Sequence, residues 1–317
     1  MTAASDPSFD ILCLGIMVAD VVALPVNGMP PRGTLASVER MELHTGGCAV
    51  NTGVSLAKLG MRTAVMGKVG QDGFGDFVVK VLQGHGIDTT GVVRDAEHNT
   101  SATMVMVDAE GERTFIHYVG ANGAIREADI SEALIGRARI LHVAGHNLMP
   151  GFDGGSCARV LERARRLGVT TSLDTAWDTS GRWLKLIEPC LPHLDLIVPS
   201  FEEARQIAGR ENPADVAAFF LDYGIGTVAL KMGSQGCYVA TRERALALPV
   251  YPVKAVDATG AGDAFAGGFL AGTAMGWDLE RTARLGNAVG ALCVTAVGAT
   301  AGVRSLAETI AFMKRYE

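Results

Sequence analysis

The residues best suited to chemistry lie in one short run near the C-terminus, Val256–Phe265, with the sequence VDATGAGDAF. The turn Gly260–Gly262 lets successive backbone N–H groups converge on an anion, and the helix predicted over Ala264–Met275 adds the positive end of its dipole. Asp263 would lie at the mouth of this turn, where it could take a proton from a hydroxyl that attacks a bound phosphate. The run predicts phosphoryl transfer; the structural alternative is a tight turn in which Asp263 caps a helix.

A second glycine-rich run, GGCAVNTG over Gly46–Gly53, has the residue types that grip a polyol. Gly46 and Gly47 permit close backbone approach, and the carboxamide of Asn51 can both donate to and accept from vicinal hydroxyls. Read alone, the run is also typical of an ordinary glycine-rich helix entry. Asp20 adds an acceptor-only carboxylate that suits hydroxyl groups, with a solvated turn residue as its structural alternative.

The elements that must position these residues alternate between short apolar runs and amphipathic segments of helix length, as in parallel sheets with crossover helices. Strands are predicted over Ile11–Gly15, Thr63–Val69, Ile140–Ala144, Thr170–Asp174, Leu194–Pro199 and Gly226–Lys231. Helices are predicted over Val50–Leu59, Gly75–His85, Ser156–Leu167, Phe201–Ala208 and Pro213–Tyr223. The pattern predicts an α/β doubly wound sheet.

Two stretches, about 20–45 and 101–119, alternate with period two instead. The second carries a hairpin-like turn at Asp108–Gly111 between two short apolar runs. Since both stretches are too short to fold alone, we expect them to pair as a small β lid over the carboxyl edge of the main sheet.

Composition excludes several classes of protein. A net charge of -6 and a pI near 5.7 over 317 residues give no basic surface for nucleic acid or an anionic membrane. Six cysteines lie far apart without CxxC pairs and are expected as buried apolar residues, and the N-terminal stretch has no targeting signal, so a cytoplasmic protein is expected. P-loop, GxGxxG and HExxH motifs are absent, and His142 and His146 lie on a predicted strand and loop, which disfavours a shared zinc site but leaves a sugar contact open.

The run Asp257–Phe265 closely resembles the C-terminal signature of the PfkB/ribokinase family of carbohydrate kinases, and Gly46–Asn51 resembles its N-terminal glycine-glycine motif. The resemblance extends from Ile11 to about Arg304. It implies that Asp263 is the catalytic base, that the glycine turn is the anion hole, and that Asp20, Gly46, Gly47 and Asn51 bind the sugar. Val18 stands where ribokinase-like members often have Asn, so ribose is not favoured as the substrate.

The resemblance also implies roles on the nucleotide side. Glu203 matches a glutamate that influences magnesium indirectly, although Ser200 replaces the usual Asn of that segment. ATP contacts are implied for Lys231, Gly233, Gly236 and Asn287, and a potassium site for Asp257 and Thr259.

For the whole chain, the resemblance implies one three-layer α/β/α ribokinase-like domain over residues 1–317, with the lid inserted in it. The implied reaction is transfer from ATP with Mg²⁺ to a sugar hydroxyl, by a homodimer formed through the lid. A nucleoside kinase of the same fold is the nearest rival, and it is disfavoured because the lid offers only Phe115 and Tyr118 as stacking aromatics. A noncatalytic sugar or nucleotide sensor and a dinucleotide-dependent dehydrogenase are less favoured still.

Overall fold

The computed structural model describes residues 7–316. Its strands are β1 (Phe9–Gly15), β2 (Val18–Leu24), β3 (Arg40–Gly46), β4 (Thr63–Gly70), β5 (Asp88–Asp95), β6 (Ala102–Val107), β7 (Arg113–Tyr118), β8 (Ala138–His146), β9 (Thr170–Thr175), β10 (Leu196–Ile197), β11 (Thr227–Lys231), β12 (Cys237–Ala240) and β13 (Ala245–Leu248). Its helices are α1 (Cys48–Lys58), α2 (Gly73–Gly84), α3 (Gly120–Gly123), α4 (Glu132–Ile135), α5 (Gly155–Arg166), α6 (Leu184–Ile187), α7 (Phe201–Ala208), α8 (Pro213–Asp222), α9 (Ala261–Ala274), α10 (Leu279–Cys293) and α11 (Leu306–Met313).

The large sheet has the strand order β13-β12-β11-β10-β9-β8-β1-β4-β5. Strands β11 to β5 in this order run parallel, and the two pairings at one edge, β11 with β12 and β12 with β13, are antiparallel. Parallel strands need crossover connections, and the helices between them cover both faces of the sheet. The prediction of a doubly wound α/β sheet is confirmed.

Side chains of the central strand β1 show how the two faces are filled. Leu12 and Leu14 pack into one apolar core with α5, α7 and α8, while Ile11 and Cys13 pack into a second core with α1, α9 and α10. Successive side chains of a strand point to opposite faces, so a strand buried on both faces is a continuous apolar run. This apolar run is the reason that β1 could be predicted from the sequence.

The lid is a separate four-stranded sheet with the order β3-β2-β6-β7. Strands β2 and β6 pair in parallel, while β3 and β7 flank them in antiparallel orientation. The predicted hairpin turn is present, since the Asp108 amide donates to the Glu112 carbonyl and Gly111 has a φ of 89°. Residues 25–39 form no strand, so the first lid stretch is a pair of strands with an irregular connection.

Several boundaries differ from those predicted. The strand expected over Leu194–Pro199 is reduced to two residues, and Ser200, three residues after the end of β10, caps α7. β8 continues through His146, which the sequence placed in a loop. Strands β5, β12 and β13 were not predicted. β5 and β13 form the two edges of the sheet and are partly exposed, while β12 is buried but has only four residues.

Within residues 7–316, no helix has the length and apolar character needed to cross a bilayer. Most of the N-terminal stretch that was read for a targeting signal lies outside the described residues.

The buried imidazole of His142 in β8 makes stability depend on pH. Its Nδ1 lies 3.0 Å from Ser172 Oγ, and burial together with the nearby charge of Lys231 lowers the pKa of His142 to about 3. Below about pH 6.5, His142 of the unfolded chain binds a proton, whereas the buried imidazole of the folded chain stays neutral. The contribution of the neutral imidazole to stability is therefore complete above that pH and is lost as the pH falls toward 3.

We predict that His142→Gln flattens this dependence. Between pH 6.5 and 5, the unfolding free energy of the parent protein should fall more steeply than that of the variant, by up to about 1.4 kcal/mol per pH unit. Urea titrations at several pH values measure the two slopes. His193→Gln, at a partly exposed site, serves as the control and should keep the parent slope; equal slopes in all three proteins would contradict the assignment.

Candidate active site

Asp263 lies in the first turn of α9, at the point where the helix meets α1. Its Oδ2 accepts a hydrogen bond of 2.8 Å from Asn51 Nδ2. Burial raises the pKa of Asp263, while the Asn51 hydrogen bond, the charge of Lys231 and the Cys48 thiol oppose the rise without cancelling it. α9 begins at Ala261, three residues earlier than predicted, and Asp263 makes no capping hydrogen bond, so the alternative role as a helix cap is not what the structure shows.

The turn before α9 has the shape that an anion requires. Gly260 has a φ of 75°, and a Cβ at this position would lie 2.3 Å from the carbonyl oxygen of Ala299. Only glycine fits such a site. Within residues 7–316, the N–H groups of Gly262 and Asp263 have no protein acceptor, which leaves them, with the helix dipole, to bind a negatively charged group.

A cavity of about 480 Å³ lies between the lid and the main domain. Its lining includes all four predicted sugar-binding residues, Asp20, Gly46, Gly47 and Asn51. Burial raises the pKa of the Asp20 carboxyl, although the Thr103 hydroxyl and the imidazoles of His117 and His44 lower it in part.

The two glycines of this cavity are fixed by close contacts. A Cβ at Gly46 would lie 2.1 Å from Asp20 Oδ2, and a Cβ at Gly47 would lie 2.4 Å from the carbonyl oxygen of Ile16. Gly47 also has a φ of 89°, which side chains rarely tolerate. The pair therefore brings the Asp20 carboxylate and the start of α1 together.

A second cavity, of about 580 Å³, lies on the other side of Asp263 against α10. Its lining includes the residues predicted for the nucleotide side, Glu203, Lys231, Gly233, Gly236 and Asn287. Asp263 and no other predicted site residue lines both cavities. A group bound in one cavity can therefore meet a group bound in the other only beside this carboxylate and the glycine turn.

Lys231, at the end of β11, carries the positive charge of this region. Its Nζ lies 2.5 Å from Asp174 Oδ2, and a Cβ at Gly262 would lie 3.4 Å from the same nitrogen. Burial lowers the pKa of Lys231, but the carboxylates of Asp174, Glu203 and Asp263 outweigh burial and raise it. The ammonium stays protonated beside the anion-binding turn.

Asp174, at the end of β9, was not predicted. Burial raises its pKa to about 7, with the charges of Glu203 and Asp263 adding to the rise and Lys231 opposing it. Its Oδ1 is buried and has no hydrogen-bond partner among the described residues. One ammonium thus faces three carboxyl groups, and the site carries an excess of negative charge.

Glu203 lies in the first turn of α7 and takes part in a capping box with Ser200. Its Oε2 accepts hydrogen bonds from Thr175 Oγ1 at 2.8 Å and from the Ser200 amide at 3.4 Å. Glu203 therefore stabilises the first turn of α7 and also lines the second cavity.

Gly233, Gly236 and Asn287 form the far wall of the second cavity. Gly236 has a φ of 90°, and a Cβ at this position would lie 2.0 Å from the Leu248 carbonyl oxygen. Asn287 Nδ2 donates to the carbonyls of Leu248 and Pro249 at 3.3 and 3.1 Å. This amide fixes the chain after β13 against α10.

The predicted cation-binding residues Asp257 and Thr259 are joined to the lid. Asp257 Oδ1 accepts from the Thr259 amide at 2.8 Å, Oδ2 accepts from the Gly298 amide at 2.8 Å, and the guanidinium of Arg113 in β7 lies 2.7 Å from Oδ1. Arg113 also donates to the Thr259 hydroxyl. Burial raises the pKa of Asp257, but the two amides and Arg113 outweigh burial and hold it below its usual value.

Sequence reasoning missed three residues of the site: Cys48, Arg113 and Asp174. Cys48 lies within the run Gly46–Gly53 but was expected only as a buried apolar residue. Arg113 in β7 and Asp174 in β9 belong to no motif, so their positions depend on the tertiary fold. His142 and His146, for which a sugar contact was left open, are fully buried, and neither lines the two cavities.

Comparisons with known proteins agree with this geometry. The family model for pfkB family carbohydrate kinases matches residues 8–306. A ribokinase from Staphylococcus aureus is 31% identical over 88% of this chain and 91% of its own length. An ATP-dependent 6-phosphofructokinase from Thermoanaerobacterium thermosaccharolyticum is 27% identical over 93% of this chain and 90% of its own. The crystal structure of a fructokinase with bound ATP from Xylella fastidiosa superposes with a TM-score of 0.83 at 25% identity, covering 97% of this chain and 98% of that one.

We predict that Arg113→Met loosens the lid, because the ion pair with Asp257 and the hydrogen bond to Thr259 are lost while an unbranched apolar stem is kept. Amide hydrogen exchange in β6 and β7 should become roughly 5- to 30-fold faster, as expected for a loss of about 1–2 kcal/mol. Arg40→Met is the matched control, since among residues 7–316 the one ion pair of Arg40 is with Glu42 in the same lid strand. Equal exchange rates in the two variants would show that Arg113 does not hold the lid.

Proposed function

Since the chain belongs to the pfkB family of carbohydrate kinases, we propose that it transfers the γ-phosphoryl group of ATP to a sugar hydroxyl, with Asp263 as the general base. The observation that carries the proposal is the position of Asp263, which lines both the lid cavity and the cavity against α10. A sugar in the first cavity and ATP in the second would bring hydroxyl and phosphate together at this carboxylate. In-line transfer needs this arrangement.

In this mechanism Asn51 orients the base. Its hydrogen bond to Asp263 Oδ2 leaves the other carboxylate oxygen to take the proton of the attacking hydroxyl. Burial raises the pKa of Asp263 and so makes the carboxylate a better proton acceptor than an exposed aspartate.

The amides of Gly262 and Asp263, with Gly260 and Ala261 shaping the turn, form the proposed anion hole. Lys231 Nζ stands beside the same turn and adds a full positive charge. Together they stabilise the negative charge on the transferring group, while lid closure excludes water.

Magnesium fits the residues present. Hard oxygen ligands are available from Asp174 Oδ1, which has no partner among the described residues, and from the Glu203 carboxylate. The excess of negative charge around Lys231 would be reduced by a bound cation. We propose that Glu203 holds Mg²⁺ indirectly and that Asp174 contributes to the same site. When bound, the ion neutralises charge on the ATP phosphates.

We also propose that the loop of Asp257 and Thr259 binds potassium. The Asp257 carboxylate already accepts from two backbone amides and pairs with Arg113, so backbone carbonyl oxygens of the loop would supply most of the ligands. Assays with and without potassium test this part directly.

The charges of the lid cavity favour a neutral acceptor. Arg40 pairs with Glu42 and Arg113 pairs with Asp257, so each arginine in the cavity wall is already neutralised. Among the described residues Asp20 pairs with no lysine or arginine, and a carboxylate accepts hydrogen bonds from hydroxyls while it repels an anion. We propose an uncharged polyol as the substrate, in preference to a sugar acid or sugar phosphate.

A nucleoside kinase remains the second candidate, and Phe115 is the observation in its favour. Its ring belongs to the lid cavity and is 59% exposed, whereas Tyr118 lies on the outer face of the lid. One stacking aromatic is therefore available to a nucleobase.

The proposed homodimer would form through the outer face of the lid sheet. Met41, Leu43, Met104, Ile116 and Tyr118 alternate with the cavity-lining residues and are exposed, Met41 by 66%. Such an apolar sheet face fits a second copy of itself about a two-fold axis. A cytoplasmic location stays a prediction of the sequence, as does the single-domain organisation.

We predict that Asp263→Asn lowers kcat by about 100-fold or more, because the amide cannot take the proton, while ATP affinity stays nearly unchanged. The assay is ADP release with MgATP over ribose, fructose, fructose 6-phosphate, 2-keto-3-deoxygluconate, adenosine and inosine, and calorimetry gives the ATP affinity. Asp215→Asn, in the exposed first turn of α8, is the matched control. Near-normal turnover of Asp263→Asn would contradict its role, and turnover with nucleosides alone would favour the second candidate.

For the dimer, we predict that Ile116→Asp converts the protein to monomers, because a buried charge at the interface costs several kcal/mol. Light scattering after size-exclusion chromatography measures the mass. Phe115→Asp changes the neighbouring residue on the opposite face of β7 and should leave the dimer intact. A monomeric parent protein, or equal behaviour of the two variants, would refute the interface.

A further inference from the structure

Away from both cavities, three ligand-type side chains meet in the core on the α5 side of the sheet: His146, Cys157 and Cys190. Their ligand atoms all lie within 4.8 Å of one another, and all three residues are fully buried. His146 ends β8, Cys157 lies in α5, and Cys190 precedes a short 3₁₀ turn at Leu191–His193. Residues from three separate segments thus converge on one point.

The imidazole of His146 is oriented as a ligand would be. Its Nδ1 lies 2.8 Å from Asn147 Oδ1, and the Asn147 amide is fixed in turn because its Nδ2 donates to the Ala176 carbonyl. Nδ1 is therefore the protonated nitrogen, and the lone pair of Nε2 points at the cluster, 3.8 Å from Cys190 Sγ. Among the described residues, Nε2 otherwise accepts only one long hydrogen bond, of 3.3 Å, from the Gly154 amide. A hydrogen bond that fixes the second nitrogen is typical of metal-binding histidines.

Asp153 supplies a fourth group. Its Oδ1 lies 3.8 Å from His146 Nε2, is buried, and has no hydrogen-bond partner among residues 7–316. Its Oδ2 accepts from the Met149 amide at 2.8 Å, which holds the carboxylate in place. A buried carboxylate oxygen without a partner is costly, and a cation would remove the cost.

The two thiols supply the sulfur ligands. Both cysteines are fully buried, and Cys190 Sγ lies 3.8 Å from His146 Nε2 and 3.4 Å from the Gly154 carbonyl oxygen. Cysteine binds metal as the thiolate, so zinc binding would release the thiol protons.

We propose that His146, Asp153, Cys157 and Cys190 bind one Zn²⁺ ion. Two sulfurs, one imidazole nitrogen and one carboxylate oxygen make a four-coordinate set that zinc accepts, with bonds of about 2.0–2.3 Å. Edges of such a tetrahedron are about 3.3–3.8 Å long. The ligand atoms of His146, Cys157 and Cys190 lie within 4.8 Å of one another and would move together by up to about 1 Å, while Asp153 Oδ1, 3.8 Å from His146 Nε2, would turn toward the two sulfurs. With four protein ligands and no access to solvent, the site is structural.

The ion would join the end of β8, the start of α5 and the segment before β10. Binding to the folded chain alone stabilises it, so removal of zinc should lower the melting temperature. This role is independent of the kinase proposal, because none of the four residues lines either cavity.

The test is metal analysis of the intact protein expressed in zinc-supplemented medium and dialysed against a weak chelator. We expect about one zinc per chain in the parent and in Cys237→Ser, a buried cysteine outside the cluster, and at least a tenfold lower content in Cys190→Ser and His146→Gln. If these variants do not fold, the parent refolded with Co²⁺ still decides the question, since tetrahedral thiolate ligation gives intense visible and near-ultraviolet bands.

Two results would overturn the proposal. One is a parent protein with less than about a tenth of a zinc per chain and a cobalt spectrum without thiolate bands. The other is a disulfide between Cys157 and Cys190, detected as the loss of two of the six free thiols on titration.

Discussion

The gathering of three carboxyl groups around one ammonium, at the carboxyl edge of the large sheet, is the constraint on which the rest of the site depends. Asp174 and Lys231 come from the ends of β9 and β11, while Asp263 and Glu203 come from the first turns of two helices. Buried charges persist only when they are paired or given donors. Parallel strands bring all four chain segments to the same edge, so the fold class itself makes this arrangement possible.

The placement of these charges explains the glycines around them. A Cβ at Gly46 would displace the Asp20 carboxylate, and a Cβ at Gly260 would push the anion-binding turn away from the Ala299 backbone. The lid adds an attractive contact, since Arg113 in β7 pairs with Asp257 in the loop that precedes the anion-binding turn. A movement of the lid therefore changes the electrostatic surroundings of Asp257, two residues before Thr259 and three before the turn.

Much of this architecture could be predicted from the sequence because its determinants are local. Strands β1, β4 and β8 are continuous apolar runs, and Asp263 and the glycine turn share one run of ten residues. The strands β12 and β13 escaped prediction because each has only four residues, and in β13 partial exposure also hides the pattern. Arg113 and Asp174 escaped for another reason, since their partners lie 144 and 57 residues away in the chain and no local spacing encodes such pairs. The cysteines were expected as separate apolar residues, whereas Cys157 and Cys190 lie together beside His146.

The two polar centres of the molecule lie in different layers, yet one sheet edge links them. The His146 carbonyl accepts a hydrogen bond from the Ala176 amide, and the preceding residue, Thr175, donates from its hydroxyl to Glu203 in the nucleotide-side cavity. A register shift between β8 and β9 occurs at this point, where the regular ladder no longer fixes the backbone. Side-chain contacts add to the backbone bond here, since Asn147, which orients His146, also donates to the Ala176 carbonyl. Thr175 and Ala176 together therefore contact both the His146 cluster and Glu203, so a shift in this stretch of backbone would move both.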